Sequence, residues 1–412
     1  MDQGPSKGLH EVSLMSHDRR LRGRPRLCSD CGLCDSHLRP HMPETCLFVR
    51  NRAEEIEQRL HGRRRRAGDE MRFGIYREQA VMRMRRPVAG AQWTGMVTTL
   101  AARLLERGEV EAVILAGTNP GTRFEPRPVL ARTPEEVRAC AGNKPSLSPN
   151  LALLDRVREA GIRRLAVVGT GCQVQILRQA EQELGLDRLD LIGLPCSDNV
   201  TYADQQLFLS TISRSPGTVA HYEFMQDFSL WLTHEDGHRE RVDYIDFPMD
   251  RLQGIFPSAC LSCFDYPNTL SDITIGYLGA PLGWQWVLAR TDRGLALLDL
   301  LRPDLESRPV SESGDRTRGM PRFIQSLARR PGRPPWPVRR LVAFLQRRRG
   351  PRGLEFARAI IEMKLLRNLT HVREKFPGNE ARIVPYHVYE TLRPYAGLYA
   401  QVFGREPGPP GP

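Results

Sequence analysis

The run ALLDRVREAGIRRLAVVGTGCQVQILRQAEQELGLDRLDLIGLPC, residues 152–196, constrains the fold more than any other part of the chain. It sets two short apolar segments, LAVVG and LDLIGL, between stretches with helical spacing. Upstream, TGMVTTLAARLLERGEV has the same helical periodicity and EAVILAG is a third strand-like run. Strands alternating with helices on this spacing predict a parallel or mixed sheet covered by helices. The loops after AVVG and LIGL then emerge at strand carboxyl ends, where open α/β sheets bind ligands. Each of these loops carries a cysteine, Cys172 and Cys196.

The texture of the chain divides it into three parts. Residues 1–75 are polar and arginine-rich, with a cysteine stretch and a short predicted helix, AEEIEQRLH. Independent folding of this part requires a metal or docking to the rest. Residues 76–325 hold the alternating core, then HYEFMQDFSLWLTHEDGHRERVDYIDF, whose Asp-Gly turn between β-prone runs predicts a hairpin. Residues 326–412 are a basic helical extension: GLEFARAIIEMKLLRNLTHVREKF predicts an amphipathic helix, with the core, a subunit or a membrane surface as partners of its apolar face and core packing favoured. The final GREPGPPGP reads as a disordered tail.

No apolar run approaches the roughly 18 residues of a membrane span, and the opening segment lacks the hydrophobic centre of a secretory signal. The expected location is cytoplasmic, with peripheral membrane contact open. Nine cysteines there are thiols or metal ligands rather than a disulfide framework. The formal charge of +12, gathered in DRRLRGRPR, HGRRRRAG, SLARRPGRPPWPVRR and LQRRRGPRG, would attract nucleic acid, an anionic membrane or an acidic protein without choosing among them.

Cys28, Cys31 and Cys34 form C-x2-C-x2-C, and Cys46 follows after an eleven-residue loop. Such spacing can place four thiolates around a four-iron, four-sulfur cluster. With His37 and His41 nearby, it fits tetrahedral zinc equally well. A second group, Cys172, Cys196, Cys260 and Cys263, comes from separate loops and completes another centre if those loops converge. Cys140 is left without a ligand role.

Two clusters imply single-electron traffic, and a flavin is the natural converter to a two-electron reduction. No G-x-G-x-x-G fingerprint is present. The candidate flavin contacts are Thr94, Gly95 and Thr98 in QWTGMVTTL; Lys144, Ser146, Ser148 and Asn150 in GNKPSLSPN; Gly169, Thr170, Gly171 and Gln173 in VVGTGCQVQ; and Gly276 and Gly279 in IGYLGAPLG. Glycines admit close backbone approach, amides and hydroxyls hold phosphate, and Lys144 offsets negative charge.

In their joint order, CSDCGLC with Cys46, QWTGMVT, KPSLSPN, GTGCQVQ, CLSCFDY, DITIGYLGAP and the later EMKLLRN closely resemble the flavin-containing iron-sulfur reductases related to the beta subunit of coenzyme F420-reducing hydrogenase, especially their chlorophyll-metabolism branch. The resemblance implies an α/β (mixed α+β) fold, with a helix-covered mixed sheet core, an N-terminal iron-sulfur segment and a C-terminal helical extension. It implies FAD and two [4Fe-4S] clusters, one on Cys28, Cys31, Cys34 and Cys46, the other on Cys172, Cys196, Cys260 and Cys263. It further implies reduced ferredoxin as electron donor and reduction of the C8 vinyl group of divinyl chlorophyllide or protochlorophyllide to ethyl, with 7-hydroxymethyl chlorophyll a reduction as the alternative.

Asp198, Asp265 and Tyr266 are the expected proton donors, since each lies beside a candidate ligand. Trp284, Trp286, Phe256 and Tyr266 are the expected walls of a flat apolar slot. From another class, a zinc-stabilised nucleic-acid-binding protein would use the same arginines and cysteines. The distributed second cysteine group and the ordered motifs weigh against it.

Overall fold

Successive strand side chains point to opposite faces, so a continuous apolar run gives a strand two buried faces, and here such runs build a sheet packed on both sides. The computed structural model describes residues 27–248, 251–252, 254–313, 316–329, 334–349 and 353–409. The run DRRLRGRPR and the last three residues of the tail lie outside them. Among the described residues eleven strands are formed: β1 (Glu78–Met84), β2 (Ala112–Thr118), β3 (Pro126–Ala131), β4 (Arg164–Thr170), β5 (Arg188–Leu194), β6 (Val219–Phe224), β7 (Ser229–His234), β8 (Arg239–Asp243), β9 (Ile273–Gly276), β10 (Gln285–Ala289) and β11 (Leu305–Arg308). The helices of eight or more residues are α1 (Ala53–His61), α2 (Met96–Glu106), α3 (Gly171–Gln179), α4 (Tyr202–Ile212), α5 (Asp292–Leu301), α6 (Arg316–Arg329), α7 (Trp336–Arg349), α8 (Gly353–Lys375) and α9 (Ala396–Phe403).

Eight strands form one mixed sheet in the order β11-β1-β10-β9-β5-β4-β2-β3. β2, β4, β5 and β9 run parallel, flanked by antiparallel partners. Ile114, Leu165, Val167, Leu191, Trp286 and Leu288 face one core, while Val113, Leu115, Ala166, Ile192, Val287 and Ala289 face the other. α2 and α5 cover the second face; α3, α8 and the N-terminal segment cover the first. The predicted hairpin is β7–β8, turning at Asp236 and Gly237, and β6 extends it to a three-stranded sheet with its own small core.

The N-terminal cysteine segment shares its core with the sheet: Leu33, Leu38, Leu47, Phe48 and Ile56 pack in the cluster that holds Leu165 and Leu369. Helix α8 is buried along most of its length, so core packing takes its apolar residues. The four-arginine run also turns partly inward. Arg65 pairs with Glu57 inside the protein and Arg63 is bidentate to Glu70, which leaves less open positive charge there than the sequence suggests.

One buried cation ties these layers. Arg290 is fully enclosed and donates to the carbonyls of Phe73, Ile75 and Pro267 and to Thr274 Oγ1, joining the chain before β1, the loop before β9 and the end of β10. Arg290→Met would strand the buried Phe73 and Ile75 carbonyls and leave Pro267 O to Thr274 Oγ1 alone. Urea unfolding should show a loss of at least about 2 kcal/mol; a loss below about 1 kcal/mol would mean that these carbonyls find other donors.

Candidate functional site

β4 ends at Thr170, and the chain turns at once into α3 with Gly171 and Cys172 in its first turn. Thr170 and Gln173 form a reciprocal capping box, so the start of this helix is fixed by its own side chains. A Cβ on Gly171 would fall 2.8 Å from Asp265 Oδ2 and 2.9 Å from the Asp265 carbonyl oxygen. Glycine is what lets the CLSCFDY loop lie against the helix start. Asn268 Nδ2 donates to Gly169 O at 2.8 Å, and Cys196 N donates to Tyr266 O at 3.0 Å. The loops bearing Cys172, Cys196, Cys260 and Cys263 are thereby stitched together at the carboxyl edge of the parallel strands.

The first cysteine segment reaches the same place. Gly32 has φ 95° and abuts Pro149 and Ala152 so closely that a Cβ would lie 2.4 Å from backbone atoms of both. Leu151 N donates to Cys31 O at 2.9 Å. His37 is committed elsewhere, its Nδ1 lying 2.6 Å from Asp155 Oδ1 with its own amide on the same oxygen.

The thiols sense one another. Burial pushes Cys31 well above the ordinary thiol range, and the charges of Cys172, Cys46 and Cys28 push it further. Cys46 is raised by burial and then by Cys28 and Cys34. Cys196 is raised by burial, then by Cys260, Cys172 and Cys263, with Lys364 opposing. Burial takes Cys260 and Cys263 up to about 12, with Cys172 adding to both. Cys172 is thus within electrostatic reach of both sets, and the Thr170 hydroxyl lies 3.3 Å from its sulfur. None of the nine cysteines is in a disulfide. Among the described residues no three His, Cys, Asp or Glu side chains are gathered tightly enough to hold a single metal ion.

A cavity opens beside these thiols. Gly95, Thr98, Lys144, Ser146, Ser148, Asn150, Gly169, Thr170, Gly171 and Gln173 line it, as do all four cysteines of the second set. The first turns of α2 and α3 both meet it, and α2 begins at Gly95 with no side-chain cap. Some of the polar groups are already engaged. Lys144 donates to the carbonyls of Cys140, Ala141 and Gly142, and burial lowers its pKa to about 8. Ser146 donates to Gln205 and Ser148 to Asn150.

Other expected site residues fall elsewhere. Thr94 is buried, with its hydroxyl accepting from Met84 N and its amide donating to Gln285. Gly276 lies against Pro195, and Gly279 against Gly353 and Ala357 of α8. Trp286 is a core residue, edge-on to Phe73; Phe256 belongs to the small core around β6–β8; and Trp284 is flanked by the guanidiniums of Arg83 and Arg308. With Tyr266 also outside the lining, none of the four expected walls reaches this cavity.

Of the expected proton donors, Asp198 and Asp265 line the cavity and Tyr266 does not. Asp198 is held by Arg367 through both oxygens and by Lys364. Asp265 Oδ1 accepts from Thr269 N, while its buried Oδ2 has no hydrogen-bond partner.

Models of the two parts of the coenzyme F420 hydrogenase/dehydrogenase beta subunit match residues 80–155 (N-terminal part) and 162–312 (C-terminal part). The chain belongs to this family. An uncharacterized protein of Nostoc sp. is 43% identical over 91% of this chain and 96% of its own length. The 7-hydroxymethyl chlorophyll a reductase of Oryza sativa subsp. japonica is 41% identical over 89% of this chain and 82% of its own. The coenzyme F420 hydrogenase beta subunit of Methanothermobacter thermautotrophicus is 31% identical over 54% of this chain and 80% of its own. A chain of the F420-reducing [NiFe] hydrogenase complex from Methanosarcina barkeri shares the fold, with a TM-score of 0.52 at 24% identity over 66% of this chain and 89% of its own.

The first cysteine set and α8 lie outside the two matched ranges of the family, yet α8 is part of the site. Asn368 Nδ2 donates to Cys260 O at 3.1 Å and to Cys263 O at 2.6 Å. Lys364 donates to Ser197 O and Asp198, and Arg367 clamps Asp198. These side chains were missed as site residues, although Lys364, Arg367 and Asn368 are spaced to share one face of a largely apolar helix. Cys140 was also missed: it lines the cavity at the end of the short helix before Lys144. Asn368→Ala should speed labelling of Cys260 and Cys263 by a disulfide reagent in the cofactor-free chain by at least about tenfold, as loss of one buried tie worth about 1–3 kcal/mol allows. An unchanged labelling rate would remove Asn368 from this role.

Proposed function

We propose that the protein reduces a peripheral substituent of a chlorophyll-type tetrapyrrole, using a flavin and two iron-sulfur clusters. The observation that carries this reading is the 41% identity to the rice 7-hydroxymethyl chlorophyll a reductase over 89% of this chain, a span that must extend beyond the family ranges at residues 80–312. That relative's name favours reduction of the 7-hydroxymethyl group. Reduction of the C8 vinyl group is the second reading, supported by the joint order of the motifs from CSDCGLC to EMKLLRN.

Two sets of four cysteines match the thiolate donor sets of two four-iron, four-sulfur clusters. Thiols raised by burial and mutual repulsion ionise readily only beside compensating positive charge, which iron supplies. In this reading Cys28, Cys31, Cys34 and Cys46 hold one cluster, and Cys172, Cys196, Cys260 and Cys263 the other. When bound, these groups supply single-electron transfer and the flavin its conversion to a two-electron reduction.

The protein's own contribution is placement. The first turns of α2 and α3 line the cavity and can present backbone N–H groups to phosphate. Lys364 and Arg367 hold the Cys196 loop through Ser197 and Asp198, while Asn368 holds the Cys260 and Cys263 carbonyls. Asp265, whose buried Oδ2 has no hydrogen-bond partner, is the lining carboxyl suited to hold a proton. An acidic ferredoxin as electron donor fits the +12 chain.

The test is anaerobic purification with iron, sulfide and flavin quantified, followed by turnover with reduced ferredoxin on both tetrapyrroles in the same preparation. About eight irons per chain with one flavin, and loss of the 7-hydroxymethyl substrate, are expected. Turnover of divinyl chlorophyllide alone would move the assignment to the second reading, and zinc without iron or flavin would overturn both.

Lys144 provides a second check. Its ammonium form is destabilised by burial, so the unliganded chain loses this charge as pH rises through about 8. An anionic ligand favours the protonated form, so FAD affinity should be full below pH 8 and fall by up to about tenfold per unit above it. Uncharged riboflavin should show no such slope, and Lys144→Met should flatten the slope for FAD. Equal pH profiles for FAD and riboflavin in fluorescence titration would place Lys144 away from the phosphates.

A further inference from the structure

Six large hydrophobic side chains of the described residues are exposed, and five of them stand on α7: Trp336, Val338, Leu341, Phe344 and Leu345. Leu341, Phe344 and Leu345 follow at i, i+3 and i+4 and therefore share one face. Leu341 is 58% exposed and Phe344 52%. The opposite face is fixed to the protein: Ala343 is buried, Arg339 Nε donates to Asp246 at 2.8 Å, and Arg347 reaches Asp243 at the end of β8. The orientation of the helix is therefore set, and its apolar strip points away from the core.

The helix carries five arginines and no acidic residue between Trp336 and Arg349. Arg340 lies over the Trp336 ring at 5.7 Å, beside the strip. No helix of the described residues is long and apolar enough to cross a membrane. A helix with a narrow apolar face, an aromatic residue at one end and only positive charge elsewhere has the chemistry of an interfacial segment lying in the plane of a bilayer. A docking face for an acidic protein would present the arginines without three large aliphatic and aromatic side chains leading them.

We propose that α7 seats the protein on an anionic lipid surface, with Leu341, Phe344 and Leu345 entering the headgroup boundary and the flanking arginines contacting lipid phosphates. The contact does not depend on the reaction catalysed. It differs from the membrane role open to α8 from sequence, because α8 spends its apolar residues in the core.

The test is co-sedimentation of the full-length, cofactor-loaded chain with vesicles of phosphatidylcholine alone or phosphatidylcholine with phosphatidylglycerol. Binding to the anionic vesicles only is expected, weakening with added salt. Replacing Arg340 or Arg348 by alanine should weaken it about fivefold for each arginine. The double variant Leu341→Glu/Phe344→Glu should abolish it while leaving iron and flavin content unchanged, since both side chains are exposed. Brominated lipid should quench emission in the wild type, and less so in Trp336→Phe. A wild-type chain that ignores both vesicle types, or a double variant that still binds, overturns the proposal. A dimer in light scattering that the double variant dissolves, without vesicle binding, overturns it in favour of a second copy on this face.

Discussion

Each thiol packed beside Cys172 makes its neighbours harder to ionise, and the protein holds the thiols there regardless. Burial first and neighbouring sulfurs second keep these thiols neutral until a positive partner compensates the thiolates. Cys172 stands at the first turn of α3, where the strand end, the CLSCFDY loop and the N-terminal segment meet, and every one of those approaches is secured by backbone or buried polar contacts. The position is built first as architecture, and the chemistry depends on that rigidity.

The securing contacts come from far along the chain. Asn268 bridges the ends of β4 and β5, Arg290 gathers carbonyls before β1 and before β9, and α8 crosses the first face of the sheet to hold two cysteine loops with three side chains. Glu362 fastens α8 in turn through Arg72, Arg316 and the Tyr395 hydroxyl. A helix outside the matched family ranges has thereby become structurally inseparable from the site. This explains why a relative that covers nearly the whole chain says more about the site than one that covers half of it.

The sheet was legible in the sequence because its strands are short, apolar and separated by helices of ordinary length; LAVVG and LDLIGL are β4 and β5, and AEEIEQRLH is α1. The cavity was partly legible, since glycines beside strand ends and helix starts can be read from local pattern. What is not legible in local pattern is which face a residue ends up on. Trp286 reads as an aromatic wall and is core, because a strand residue's face follows from its register with β1 and β9, not from its own type. HGRRRRAG reads as a basic patch, yet Arg65 turns inward to Glu57. Gly276 and Gly279 read as cofactor contacts and instead admit Pro195 and α8.

Lys364, Arg367 and Asn368 show the same limit from the other direction. An amphipathic reading of α8 treats its polar residues as the wet face. In the fold both faces are covered, and the polar residues do the more specific work, because a buried lysine, arginine or asparagine persists only where its donors are satisfied. Here the acceptors are the carbonyls and carboxylate of the cysteine loops. α7 reverses the case: its polar residues, Arg339 and Arg347, are turned inward toward Asp246 and Asp243, so its apolar residues are left facing out. Two helices consecutive in the chain thus divide the work, and the difference lies in which side chains the neighbouring acidic groups and carbonyls claim.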